Sequence, residues 1–159
     1  MSSGVALQAL GDSGGLSIGR CRLATLVIDA NVLITAFVAR GVCAELLEYC
    51  VRAHEVVTSK PILEEVRRNL VDKIKVTAAQ ADQTVKLLRT RFELVEPVAL
   101  ESQVSRDPDD DLVLGTALAG GCDAIVTGDK DLLDLGTHRG MAIVSPRGFW
   151  SFESQRSRG

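Results

Sequence analysis

The chain has 159 residues, with 18 basic and 21 acidic side chains and a formal net charge of −3. This balance excludes a protein that grips nucleic acid through one large uniform basic field, and leaves room for a local basic rim around an acidic site. The length is that of about one domain, long enough to bury a core without staples, and no apolar run approaches the roughly 20 residues that span a bilayer.

The opening residues, MSSGVALQAL, lack the basic start and apolar block of a secretory signal. Cys21, Cys43, Cys50 and Cys122 show neither zinc-ligand nor redox spacing, so they read as small buried hydrophobes in a reducing cytoplasm. His54 and His138 lie far apart in the chain and read as non-ligands. The expectation is a cytoplasmic protein with no membrane partner.

Residues 1–22 are rich in Gly and Ser, without periodicity, and read as a flexible N-terminal extension. Leu23–Ile28 is a continuous β-prone run, typical of a strand buried on both faces. Val42, Leu46, Leu47, Cys50 and Val51 repeat at helical spacing and predict a helix over about 41–53. Glu55–Thr58 is a short strand. Ser59 can cap the following helix, whose first turn tolerates Pro61 and which runs to about Asp72. Thr77 caps another helix, with Ala78, Ala81, Val85, Leu88 and Phe92 along one face. Phe92–Pro97 reads as an edge strand, a helix follows Pro108, and Ala124–Thr127 and Met141–Val144 are further strands. Residues 151–159 read as a C-terminal tail, leaving one domain over 23–150. Strands alternating with helices predict an α/β fold, a mainly parallel sheet with helices on both faces, whose ligand site lies beyond the carboxyl ends of the strands.

The acidic residues sit where that rule points. Asp29 directly follows the first core strand, and Asp129 ends the second in Thr-Gly-Asp, where Gly128 permits a tight turn. Either could simply cap a helix, but the same arrangement recurs at two central strands. With residues 108–119 placed on a helix at about 100° per residue, Asp110 falls on the inward face with Val113, Leu114 and Ala117. Asp109 points sideways, Asp111 lies at the edge, and Asp107 either caps the helix or assists a metal. The helix dipole explains why acids gather in this first turn, but not why one of them faces the core. The same projection sets Glu65 beside the core face of Ile62, Leu63, Val66 and Leu70, and turns Glu64 to solvent. Four converging carboxylates suit Mg2+ or Mn2+, hard cations that take oxygen ligands, activate water and neutralise charge on a phosphodiester.

The blocks Val27-Ile-Asp29-Ala-Asn31-Val-Leu33, Ser59-Lys-Pro-Ile-Leu-Glu-Glu65, Arg106-Asp-Pro-Asp-Asp110 and Val126-Thr-Gly-Asp129-Lys-Asp131-Leu-Leu133 occur in this order over residues 23–150. Together they resemble the PIN-domain family, and within it the bacterial toxins of toxin–antitoxin systems. The resemblance implies a three-layer α/β/α sandwich and an Mg2+- or Mn2+-dependent ribonuclease. Its metal ligands fall on Asp29, Glu65, Asp110 and Asp129, with Asp131 as a further acid and Asn31 and Thr127 as supporting polar residues. It also implies an RNA substrate and a cognate antitoxin partner, while a homo-oligomer stays open.

Arg68 lies on the same side of its helix as Glu65, and Lys130 sits between two acids. These two are the expected RNA contacts, although each could be an ordinary solvated charge. Two other classes compete with the nuclease. A non-catalytic RNA-binding or scaffold module on the same fold would not need the intact set of four acids. A phosphotransfer protein of dehalogenase type would need an Asp where Asn31 stands, and a receiver would need an acidic pair and a late-strand Lys in places where this sequence lacks them.

Overall fold

Strand β1 (Thr25–Ile28) lies near the middle of a six-stranded sheet in a computed structural model of the protein, which describes residues 23–158. The extension read over 1–22, and Cys21 within it, lie outside the described residues. The remaining strands are β2 (Glu55–Thr58), β3 (Glu93–Leu94), β4 (Ala124–Val126), β5 (Thr137–His138) and β6 (Met141–Val144), in the order β3-β2-β1-β4-β6-β5. All neighbours are parallel except β5 and β6. Val27 pairs with Val57 on one side and Ile125 on the other, and all three are buried, as expected of a strand with no polar face.

Helices α1 (Ala30–Val38) and α2 (Val42–Ala53) connect β1 to β2, and α3 (Lys60–Asp72) and α4 (Ala78–Arg91) connect β2 to β3. Helix α5 (Pro108–Ala119) leads back to β4. Right-handed crossovers carry the chain out to β3 over one face and back over the other, which gives the three-layer α/β/α arrangement. Helices α6 (Lys130–Leu135) and α7 (Gly148–Arg158) complete the order. Among the described residues no single helix is long and apolar enough to cross a membrane.

Capping explains several boundaries. Thr77 and Gln80 form the reciprocal capping box of α4. Ser59 holds the N-cap position of α3, yet its hydroxyl pairs with Thr116 Oγ1 at 2.7 Å, so it ties α3 to α5 and caps nothing. Gly128 takes no left-handed φ and a Cβ there would meet nothing, so the turn it permits does not draw on the freedom of glycine.

Three further differences have local causes. The edge strand expected over Phe92–Pro97 shrinks to β3 because the chain, after Val95 N–H donates to the Thr58 carbonyl, leaves the sheet and crosses α5. At that crossing Val98 N–H donates to the Gly115 carbonyl, and a Cβ on Gly115 would overlap the Val98 carbonyl oxygen. The β5–β6 hairpin turns through Arg139 and Gly140, both at positive φ, the geometry of a two-residue hairpin turn without the usual Asn-Gly signal. Finally, most of the residues read as a C-terminal tail belong to α7. Ser145 starts that helix, accepting Gly148 N–H on its hydroxyl at 2.9 Å, and Phe149 is fully buried.

Candidate metal centre

Each acid is delivered by the end of a strand or the start of a helix. Asp29 leaves β1 with its N–H on the Val126 carbonyl, and its carboxylate accepts the Thr127 hydroxyl at 2.7 Å. It occupies the N-cap position of α1, but its main partner lies across the sheet. Thr127, fully buried at the end of β4, also accepts Asp129 N–H on the same oxygen at 3.0 Å. One hydroxyl therefore sets both Asp29 and the backbone of Asp129. Asp129 in turn caps α6 through Leu132 N–H at 3.0 Å. The cap reading thus holds for Asp129, and capping does not remove it from the site.

Asp110 points inward, as its helical phase requires, and is only 5% exposed. Ser105 Oγ donates to it at 2.8 Å. Asp111 faces the other way and accepts the backbone N–H groups of Val104 and Ser105, fixing the approach to α5. Asp107 is exposed and caps α5 through Asp109 N–H. Oxygens of Asp110, Asp129 and Asp131 lie within 4.8 Å of one another, close enough to share one cation. Asp131 is held from outside by Arg106 at 3.2 Å. Glu65 is half-buried on α3 and Glu64 is exposed, as the projection requires.

The electrostatics tie these groups together. Burial pushes Asp29 up from the usual carboxylate range. The Thr127 hydroxyl and Ala30 N–H oppose that rise, and the charges of Asp129 and Asp107 add to it. Asp110 is pushed up to about 7, first by burial and then, against the Ser105 hydrogen bond, by a hydrogen bond and charge from Asp129. Glu65 is raised by burial and by the charges of Asp29 and Asp109, and lowered by Arg68. The geometry brings Asp110, Asp129 and Asp131 together, whereas Asp29 and Glu65 stand outside that set, Glu65 sensing the charge of Asp29 and Asp29 that of Asp129. Burial and mutual repulsion disfavour the charged forms of Asp29, Glu65 and Asp110, and an oxygen-only donor set of this kind fits a hard divalent metal.

Asn31 is exposed in the first turn of α1, and the hydrogen bond that orients Asp29 comes from Thr127. Arg68 and Lys130 are exposed. Sequence reasoning missed Ser105 and Arg106. Both lie in the irregular loop before α5, where no periodicity tells which side chain turns inward.

Residues 25–131 match the PIN domain, and the chain belongs to the PIN-domain family, whose members are generally nucleases. No curated protein matches the chain. Among solved structures it is similar to VapBC2 from Rickettsia felis, determined bound to a DNA fragment from the promoter. That match has a TM-score of 0.57 at 14% identity and covers 76% of this chain and 98% of that one. It is also similar to PAE2754 from Pyrobaculum aerophilum, with a TM-score of 0.52 at 16% identity, covering 92% and 99%. At these identities the likeness speaks for the fold.

Proposed function

We propose that this protein is an endoribonuclease dependent on Mg2+ or Mn2+, with Asp29, Glu65, Asp110, Asp129 and Asp131 as the metal-holding residues. The observation that carries this reading is the cluster of Asp110, Asp129 and Asp131, whose carboxylate oxygens lie within 4.8 Å of one another around the buried Asp110. A bound divalent ion would supply an activated water and neutralise charge on the phosphodiester. The protein's own groups do the positioning. Thr127 fixes one oxygen of Asp29, Ser105 fixes one of Asp110, and the start of α6 fixes one of Asp129. Asn31, Asp107 and Thr127 support the site, while Arg68 and Lys130 flank it as RNA contacts.

Attack by water in line with the 3′ oxygen leaves a 5′-phosphate and a 3′-hydroxyl, and the 2′-hydroxyl takes no part. End-group analysis of a cleaved oligoribonucleotide, with EDTA as control, tests this. Cyclic phosphate ends, or activity that survives EDTA, would overturn the mechanism. A wild-type protein that binds RNA and cleaves none with either metal would favour a non-catalytic binding module. We further propose that the chain is the cytoplasmic toxin of a toxin–antitoxin pair, a reading supported by the fold shared with the Rickettsia VapBC2 structure. Co-expression with the product of a small adjacent gene should relieve growth arrest caused by the wild-type protein. Arrest that the neighbour leaves untouched counts against a toxin–antitoxin pair.

A further inference from the structure

A cavity of about 580 Å³ opens between the α1–α2 turn and the β6–α7 turn, lined among others by Thr35, Arg40, Gly41, Ser145 and Arg147. Its lining contains no carboxylate, in a chain with more acids than bases. Among the described residues neither arginine forms an ion pair. Both sit on well-fixed backbone. Gly41, at φ +141°, shapes the turn that carries Arg40, and Ser145, by starting α7, anchors the turn that carries Arg147.

The cavity also opens at the same end of the sheet as the acidic centre. Thr127 N–H donates to the Val144 carbonyl, so Ser145 leaves β6 at the level where Thr127 and Asp129 leave β4. On the other side, α1 runs from Asp29 to the lip at Arg40, a length of about 13 Å at 1.5 Å per residue. That is three or four nucleotides at a stacked rise of about 3.4 Å.

We propose that this cavity is a phosphate-binding subsite for the nucleic-acid strand, with Arg40 and Arg147 gripping the backbone a few nucleotides from the acidic centre. This rests on the nuclease reading for the identity of the strand. It answers a problem that reading leaves open, namely how an acidic protein holds a polyanion next to a cluster of carboxylates. Cations displaced from the metal centre, on a fixed rim, give affinity without neutralising the acids that hold the metal. Planar guanidinium groups suit phosphate oxygens.

The test is anisotropy of a labelled uridine dodecamer bound to the full chain in EDTA, where cleavage does not interfere, across a salt series. Arg40→Ala/Arg147→Ala should weaken binding about tenfold or more and flatten the log–log salt slope by up to about 1.4, two contacts at about 0.7 each on a single strand. Arg52→Ala/Arg91→Ala, which removes the same charge at the far end of the sheet, should do neither. The dodecamer should also shield Cys43, which lines the cavity, from alkylation read by peptide mapping.

Equal losses in the two double variants, or Cys43 left equally reactive, would overturn the subsite. So would loss of binding to an oligoglutamate peptide with dodecamer binding intact, which would make the occupant an acidic protein segment. If metal-dependent cleavage of the dodecamer and binding both ignore the two arginines, the subsite falls and the nuclease stands. If the wild type cleaves nothing yet binds through them, the reverse holds.

Discussion

The two ends of the sheet bury charge in opposite ways. At the amino end, His54 is enclosed between α2 and β2. Its Nδ1 accepts Ala24 N–H at 2.9 Å, which leaves the proton on Nε2 to face Glu153 at 3.0 Å. Tyr49 donates to the same carboxylate, and Phe149 and Trp150 pack edge-on around Tyr49 at 6.1 and 5.1 Å. The polar side-chain atoms of His54, Tyr49 and Glu153 are each answered within the chain, and the knot fastens α7 to the start of the sheet. At the carboxyl end, Asp29 and Asp110 are equally buried, but among the described residues hydroxyls and other acids face them and no basic side chain bonds to either. Buried charge without a complement is costly. Paid for at one end by partners within the chain, it is left open at the other, where a cation from solution would complete it.

The largest expected effect is catalytic. Asp29→Asn should lower metal-dependent RNA cleavage at least 100-fold, about 3 kcal/mol in the transition state, with the fold intact by circular dichroism. A variant cleaving within a few-fold of wild type would remove Asp29 from the centre. Next comes the amino end. Glu153→Ala strands the His54 ring and the Tyr49 hydroxyl, and should cost about 2–4 kcal/mol in urea unfolding, with no change in the response to metal. A loss that Mg2+ reverses would mean that the two ends are not independent.

The pH dependence sharpens the contrast. The folded state holds Asp110 protonated up to about pH 7, whereas the unfolded chain releases that proton near 3.8. Between these values the folded state binds more protons, so stability falls as pH rises. The metal-free protein should melt several degrees higher at pH 5.5 than at pH 8. Divalent metal, which competes with the proton, should raise the melting temperature mainly at the higher pH. Asp110→Asn should flatten the pH trend and shrink the metal effect. If thermal scans of this variant respond to Mg2+ as the wild type does, Asp110 is not a ligand. The smallest effect is expected from Glu64→Gln, which should leave cleavage unchanged where Glu65→Gln does not.

The carboxyl end was largely legible from the sequence, because strand ends and helical phase are periodic quantities. Asp29 after a buried run and Asp110 on the core stripe of α5 follow from counting residues. So does the contrast between Glu64 and Glu65. The amino end was not legible. Neither Tyr49, His54 nor Glu153 signals its partners, which lie about a hundred positions apart in the chain, and α7 has no apolar stripe regular enough to read. Ser105 and the crossing at Gly115 were hidden for a related reason, since irregular loops choose their conformation by tertiary contact. Ser59 and Gly128 show the limit of residue preference. A good cap residue was used as a tie between helices, and a glycine sits where its freedom goes unused.

The Thr127 hydroxyl, which donates to Asp29 while accepting from Asp129 N–H, narrows what mutation can do at that position. Only serine offers the same pair of bonds. Valine matches the shape and loses both, freeing Asp29 to rotate and loosening the loop that carries Asp129, with little change in packing. A library randomised at position 127 and sorted for folding should therefore tolerate valine and alanine. The same library sorted for RNA cleavage should collapse onto threonine and serine, because here the demands of a stable core and of a working centre part company at a single oxygen atom.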